Sequence, residues 1–256
     1  MIDIKNKLVV ITGATSGIGK ACAYLYAKNG ANIVITGRRA ERLSHITNDI
    51  ESKYGVKVYP FCFDITDRDA CEEFGLSLKE KNLYPYFFIN NAGLAKGVAP
   101  LQDGSIDDWE EMIDTNIKGF LYAAKAVLPL MIEKNEGCII NLGSIAGSQV
   151  YPGGNVYNAT KFAVRALSQA MNMDLLKTNI RVSSIEPGAV ETEFSLVRFN
   201  QDKEKADNVY KGFTPLHAED IADIIYFMTC ISENINIQHL LVTPTAQRSA
   251  SLFNMG

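Results

Sequence analysis

The chain offers little to metal or disulfide chemistry. Its five cysteines, Cys22, Cys62, Cys71, Cys138 and Cys230, are odd in number and scattered, and no Cys-x-x-Cys occurs. Neither a disulfide framework nor a zinc site is expected. His45, His217 and His239 lie far apart and read as ordinary surface or loop residues. No lysine/arginine cluster marks a nucleic-acid or anionic-membrane footprint. No apolar run approaches the roughly 18 residues that span a bilayer. The opening stretch Met1–Lys7 lacks the apolar centre and cleavage site of a secretory signal. Linkers, repeats and low-complexity blocks are also missing. The expectation is a cytoplasmic protein with a small-molecule substrate, no metal, no nucleic-acid partner and no membrane partner. A net charge of −4 and a pI near 5.5 agree with it.

What is present is a core. At 256 residues and 47% hydrophobic, the chain can bury one large interior, and its length allows one or two domains. Short β-branched runs recur at Leu8–Thr12, Asn32–Thr36, Val56–Phe63, Phe87–Asn90, Cys138–Leu142, Ile180–Ile185 and His239–Thr243. Their near-continuous hydrophobicity suits strands covered on both faces, as in a parallel sheet. Helical patterns lie between them, at Gly17–Lys28, Ala40–Tyr54, Asp67–Lys81, Ile106–Glu133, Tyr157–Lys177 and Ala218–Cys230, with Asp67 and Ser105 as N-cap candidates. The alternation predicts an α/β chain: a single-domain Rossmann-type doubly wound fold over 1–256, with a seven-stranded parallel sheet between helix layers. The polar stretch Asn200–Lys211 interrupts it. That stretch reads either as a solvated helix or loop, or as part of a mobile substrate lid over 193–215.

Leu8–Thr12 runs into Gly13-Ala-Thr-Ser-Gly17-Ile-Gly19 and then a helix. Glycines there permit a tight turn and close backbone approach, and the helix N-terminus faces a pyrophosphate. Gly13, Thr15, Ser16, Gly17, Ile18 and Gly19 are therefore candidate dinucleotide contacts; the alternative is a turn that only packs tightly. Tyr157 and Lys161, four apart, share one helix face, and Ser144 follows the fifth strand. The pair alone is weak. With 11 tyrosines and 17 lysines, chance supplies about one Tyr-x-x-x-Lys, and Tyr24/Lys28 is a second. Tyr24 lies beyond the first turn of its helix, with no strand-end serine, and reads as packing.

Thr12-Gly13-Ala-Thr-Ser-Gly17-Ile18-Gly19, Asn90-Asn91-Ala92-Gly93, Asn116, Ser144, Tyr157/Lys161 and Pro187-Gly188 together resemble, in order, the short-chain dehydrogenase/reductase family. The resemblance covers essentially the whole chain. It implies a catalytic tetrad of Asn116, Ser144, Tyr157 and Lys161. Tyr157 would exchange a proton with the substrate oxygen, and Lys161 would lower the Tyr157 pKa and hold the nicotinamide ribose. Ser144 would orient the substrate, and Asn116 would anchor a water joining Lys161 to solvent. It further implies dinucleotide contacts at Asp64, Ile65, Asn91, Ala92, Gly93, Pro187, Gly188, Val190 and Thr192. Asp64 would accept from the adenine amino group, or else simply start a turn.

The second strand ends Thr36-Gly37-Arg38-Arg39. The acid that holds a ribose 2′-hydroxyl in NAD-preferring folds is missing there, and guanidinium groups suit a 2′-phosphate. NADP(H) is the expected cofactor, read by Arg38 and Arg39; the alternative is that both are solvated residues opening the second helix. Longer matches, including Asn90–Gly97, Ile113–Gly119, Gly154–Lys161 and Ile185–Phe199, resemble the subgroup of NADP-dependent 3-hydroxy acid dehydrogenases acting on serine, L-allo-threonine and malonic semialdehyde. A small acid needs an anchor, and Arg198 is the candidate on charge and location; it also reads as a loop arginine in a structural salt bridge. Other readings are a broader carbonyl or 3-oxoacyl reductase and a non-catalytic NADP-binding regulator. Similar proteins are usually homotetramers, so 235–256 reads as a C-terminal strand and interface tail, or as a disordered terminus.

Overall fold

The computed structural model describes residues 2–255, so the first and last residues of the expected domain and tail lie outside the described residues. Among the described residues nine strands occur in chain order: β1 Leu8–Ile11, β2 Asn32–Gly37, β3 Val58–Cys62, β4 Phe87–Asn90, β5 Gly137–Leu142, β6 Ile180–Pro187, β7 Val190–Glu191, β8 Leu216–His217 and β9 His239–Val242. Seven form one sheet in the order β3-β2-β1-β4-β5-β6-β9, every pairing parallel. The strand order reverses between β1 and β4. A doubly wound sheet opens a crevice at that point, beyond the carboxyl ends of its strands.

The helices are α1 Gly17–Lys28, α2 Ala40–Tyr54, α3 Arg68–Glu80, α4 Ile106–Ile113, α5 Phe120–Lys134, α6 Asn155–Asp174, α7 Phe194–Arg198, α8 Lys203–Asn208 and α9 Ala218–Cys230. α1, α2 and α9 bury their apolar stripes on one face of the sheet, against residues such as Ile33, Ile35 and Ile140. α3, α5 and α6 cover the other face, around Phe88, Ile139 and Val182. Asp67 caps α3 by accepting from the amides of Asp69 and Ala70, and Ser105 caps α4 by accepting from that of Asp108.

The single helix expected over Ile106–Glu133 is two helices joined by a wide π-turn at Asp114–Gly119. Hydrophobic periodicity does not reveal it, because its cause is tertiary. Asn116, 1% exposed, is drawn inward to bond Leu94 and Thr160. At the same turn, a side chain on Gly119 would meet the Ile65 methyl at 2.8 Å. His239 is exposed, as a surface histidine is expected to be. It begins β9 and places Nε2 2.8 Å from the fully buried Glu186 carboxylate.

The polar stretch after the sixth strand is an excursion with its own order. α8 lies within it and α7 just before it, and β7 and β8 pair in parallel to close the base of the segment that holds both. The C-terminal tail folds back over the same side. Gln247 accepts from the Ala189 amide, Ala250 donates to Gln149, and the Phe253 ring lies 4.8 Å from that of Phe213.

α9 is tied to the sheet by Arg181. Its side chain, buried in β6, donates to the carbonyls of Met228, Thr229 and Ile235, satisfying acceptors that α9 leaves open at its C-terminus. α9 packs on α1, so this anchor also supports the helix behind the glycine turn. Arg181→Met strips three carbonyls, two of them in buried bonds, of their donor and is expected to cost about 2–3 kcal/mol. Chemical denaturation checks this; a loss below about 0.5 kcal/mol, the range of ordinary surface substitutions, would contradict it.

Candidate active site

Thr12 joins the ends of β1 and β4. Its Oγ1 accepts from the amides of Asn91 and Ala92 at 2.9 and 3.0 Å. In return, Asn91 Nδ2 donates to the Thr12 and Gly13 carbonyls. The two turns that follow these strands are thereby held as one unit. The glycine turn is crowded. Gly13 and Gly17 take left-handed φ of +66° and +52°, and a Cβ on Gly19 would sit 2.6 Å from both Asn91 Nδ2 and the Gly13 carbonyl. The N-terminus of α1 carries no side-chain cap. Its first amides therefore point into open space at the positive end of the helix dipole, the arrangement that accepts a phosphate.

These turns open on a cleft of about 540 Å³. Of the expected residues, Gly13, Thr15, Ser16, Gly17, Ile18, Arg38, Arg39, Asp64, Ile65, Asn91, Ala92, Gly93, Ser144, Tyr157, Lys161, Pro187, Gly188, Val190, Thr192 and Arg198 line it. Gly19 sits behind the turn. Asn116 also stands behind the wall: both Nδ2 hydrogens are used, on the Leu94 carbonyl and Thr160 Oγ1, and its Oδ1 accepts from the Leu94 amide. The side chain braces the Asn90–Leu94 turn. Tyr24 and Lys28 are not among the cleft residues, and the Tyr24 hydroxyl is turned to Asp49.

Ser144 caps a short 3₁₀ turn, its Oγ accepting from the Ala146 amide. Tyr157 and Lys161 project from the first turns of α6, both buried. Burial pushes the Tyr157 phenol well above its ordinary pKa; the Ser144 hydroxyl and the Arg198 charge oppose that shift. The expected lowering by Lys161 is not the arrangement found. The Lys161 ammonium is 6.0 Å from the Tyr157 ring and donates to the Leu142 carbonyl at 2.9 Å. Its own pKa is pulled down to about 8 by desolvation, with the buried Glu186 carboxylate acting the other way.

Arg198, on α7, reaches over the same phenol, its guanidinium carbon 5.6 Å from the Tyr157 ring. Nη2 donates to the Tyr151 hydroxyl at 2.6 Å and Nε to the Gly97 carbonyl at 3.3 Å. Among the described residues it has no carboxylate partner, so the structural salt bridge is not formed. The sequence reading overlooked Tyr151, Phe194 (ring 5.8 Å from that of Tyr157) and Glu193. No motif marks these three: Tyr151 lies in the loop before α6, Phe194 opens α7, and Glu193 faces Arg39 and Arg42 at the far end of the cleft. At the far end of the cleft, Arg39 donates to Thr15 and Ser16 hydroxyls, and Arg38 faces Asp64 at 3.4 Å. Among the described residues no cluster of His, Cys, Asp or Glu could hold a metal, and no helix is long and apolar enough to cross a membrane.

The buried ammonium makes a signed prediction. The unfolded chain keeps the Lys161 proton up to the ordinary 10.5, whereas the folded chain releases it near 8. Between these values the unfolded state binds more protons, so stability attributable to Lys161 rises with pH. Denaturation of the wild type and Lys161→Met across this range should show a stability difference that is flat below about pH 8. Above it the difference shifts in favour of the wild type, levelling off near 10.5. Parallel pH profiles for the two proteins would refute the assignment.

Comparison with known proteins agrees with this geometry. A curated relative from Schizosaccharomyces pombe, NADP-dependent 3-hydroxy acid dehydrogenase, is 42% identical over 252 residues, spanning 98% of this chain and 97% of its own. Sulfoacetaldehyde reductase 2 of Chromohalobacter salexigens is 41% identical, covering 94% of this chain and 96% of its own. A solved structure described as the closed form of serine dehydrogenase complexed with NADP+ superposes with a TM-score of 0.89 at 42% identity, over 96% of this chain and 98% of its own. Residues 7–203 match the family described as short chain dehydrogenase, to which this chain therefore belongs.

Proposed function

We propose that this protein is an NADP(H)-dependent oxidoreductase. It would move a hydride between the nicotinamide and a small 3-hydroxy or 3-oxo acid of the serine, L-allo-threonine or malonic semialdehyde type. One observation carries the reading: a buried phenol, a strand-end hydroxyl, a buried ammonium and a guanidinium without a carboxylate partner line one cleft with a glycine-built anion turn. NADP(H) fits the residues present. The crowded glycines leave backbone where a side chain would block a pyrophosphate, α1 offers uncapped amides, and Arg38 and Arg39 supply cations at the ribose end.

The nicotinamide, when bound, supplies or accepts the hydride. The remaining work falls to side chains. In reduction, Tyr157 is the acid: burial keeps its phenol protonated at neutral pH, ready to donate to the oxygen that gains negative charge. In oxidation the same oxygen takes the proton back. Ser144 orients the substrate oxygen beside it. Lys161 holds a positive charge beneath the phenol and binds the ribose, which would draw its ammonium from the Leu142 carbonyl. Asn116 is a positioning residue, fixing the turn that flanks Lys161.

Arg198 favours an acid over a neutral carbonyl. Nη1 has no protein partner among the described residues and, with Tyr151 fixing Nη2, leaves a charged donor for an anion near Tyr157. A sulfonate would meet the same cation, which agrees with a relative named for sulfoacetaldehyde. The broader carbonyl reductase has no use for this guanidinium, and the non-catalytic regulator has none for the buried phenol and ammonium. The 193–215 excursion, carrying Arg198, serves as the substrate lid. The protein works as a cytoplasmic homotetramer. Supporting this are five unpaired cysteines, which suit a reducing compartment, and an apolar outer surface including Leu121, Phe162, Met173 and Leu176, 41–83% exposed.

Tyr157→Phe is expected to lower kcat by about 10²–10⁴-fold while fluorescence titration still shows NADPH binding; unchanged turnover would overturn the mechanism. Arg198→Ala is expected to reduce kcat/KM for L-serine or 3-hydroxypropionate by about 10- to 100-fold, the worth of one charge-assisted hydrogen bond. An uncharged carbonyl substrate should change little, and equal losses on both would remove Arg198 from the anchor role.

A further inference from the structure

Glu193 is the first residue of the excursion and the N-cap of α7. Its carboxylate spans to the opposite side of the cleft mouth. One oxygen is 2.7 Å and the other 2.8 Å from Arg42 Nη1, and the second is also 3.0 Å from Arg39 Nη1. The two arginines hold the carboxyl below its ordinary pKa, against a smaller rise from exposure loss than their combined pull. Arg39 thus has every nitrogen engaged: Nε and Nη2 on the Thr15–Ser16 turn, Nη1 on Glu193. A guanidinium whose fork already carries a carboxylate receives a phosphate only by sharing or releasing it. Arg42, one helical turn along α2, is where a released Glu193 stays paired.

We propose that Glu193 is an internal competitor for the 2′-phosphate: it occupies Arg39 until the phosphate takes its place, and its shift onto Arg42 alone loosens one of the two ties that hold α7 to the start of α2. This rests on the NADP(H) reading above. The element loosened is the one that matters for substrate. α7 carries Phe194 against the Tyr157 ring and Arg198 beside Tyr151 and Tyr157. Arrival of the 2′-phosphate at one end of the cleft is thereby reported to the acid anchor at the other. A coenzyme lacking that phosphate makes no claim on Arg39 and leaves α7 pinned. The pair is about 41% exposed on each side, so the contact is weak in absolute terms. A weak contact suits a competitor, which must yield to a dianion.

The test uses 2′,5′-ADP and 5′-AMP, fragments that differ in the phosphate alone. Calorimetry should show that the wild type binds 2′,5′-ADP more tightly than 5′-AMP. Glu193→Gln should tighten 2′,5′-ADP by about two- to five-fold, the scale of one exposed ion pair, and leave 5′-AMP unchanged. Simple removal of a nearby negative charge would also strengthen anion binding, so amide hydrogen exchange provides the second reading. In the wild type, 2′,5′-ADP but not 5′-AMP should speed exchange across 194–198. In Glu193→Gln that segment should exchange quickly without ligand and respond to neither. If the wild type prefers 2′,5′-ADP but the variant binds it equally or more weakly, or 194–198 exchanges alike with both fragments, the competitor role is refuted while the NADP(H) reading stands. If the wild type does not distinguish the fragments, both fall.

Discussion

The site depends on the clamp between Thr12 and Asn91. A parallel sheet sets its strands side by side but says nothing about the loops that leave them. Here one hydroxyl accepts from two consecutive amides, and one carboxamide returns two bonds. The glycine turn after β1 and the Asn-Asn-Ala-Gly turn after β4 are thereby locked together. Asn116 continues the bracing from the far side of the same turn, and Lys161 stands next to it: a Cβ on Gly93 would lie 3.1 Å from Asn116 Oδ1 and 3.5 Å from Lys161 Nζ. Loops are the mobile part of most folds; these loops are held by buried polar bonds, so phosphate turn and ammonium keep a fixed separation.

Charge is handled differently at the two ends of the cleft. At the reacting end it is buried. Lys161 and Glu186 both lie inside, the first losing basicity through desolvation, the second lying 2.8 Å from His239 and 3.8 Å from Arg165. Such groups destabilise the fold unless paired, and they persist where chemistry requires them. At the other end the charges are half exposed: Arg38, Arg39 and Arg42 face Asp64 and Glu193. Fixed charge beside the phenol and half-exposed charge at the entrance suit the two tasks of proton transfer and coenzyme recognition.

All seven sheet strands were legible in the sequence, because parallel strands covered on both faces are written as short apolar runs. The glycine turn, Ser144, Tyr157 and Lys161 were legible for another reason: each sits at a fixed place after a strand or at a helix start, where local chemistry constrains the residue. What was not legible depends on distant parts of the chain. The π-turn exists because Asn116 must reach Leu94, and Glu193 matters only because α7 folds back across α2. The water role of Asn116 and the effect of Lys161 on the phenol rest on motif alone. In the structure both side chains face other partners, Leu94 and the Leu142 carbonyl.

The two-residue strands β7 and β8 pair where the chain leaves and rejoins the sheet domain, Val190 opposite Leu216 and Glu191 opposite His217. A loop whose two ends are stapled together is topologically a side branch. Its length and sequence can drift without pulling on β6 or α9, because the strain of any insertion ends at the staple. The excursion can therefore change as a unit. Ser144, Tyr157 and Lys161, set by the sheet and α6, stay under one set of constraints, while the excursion answers to another.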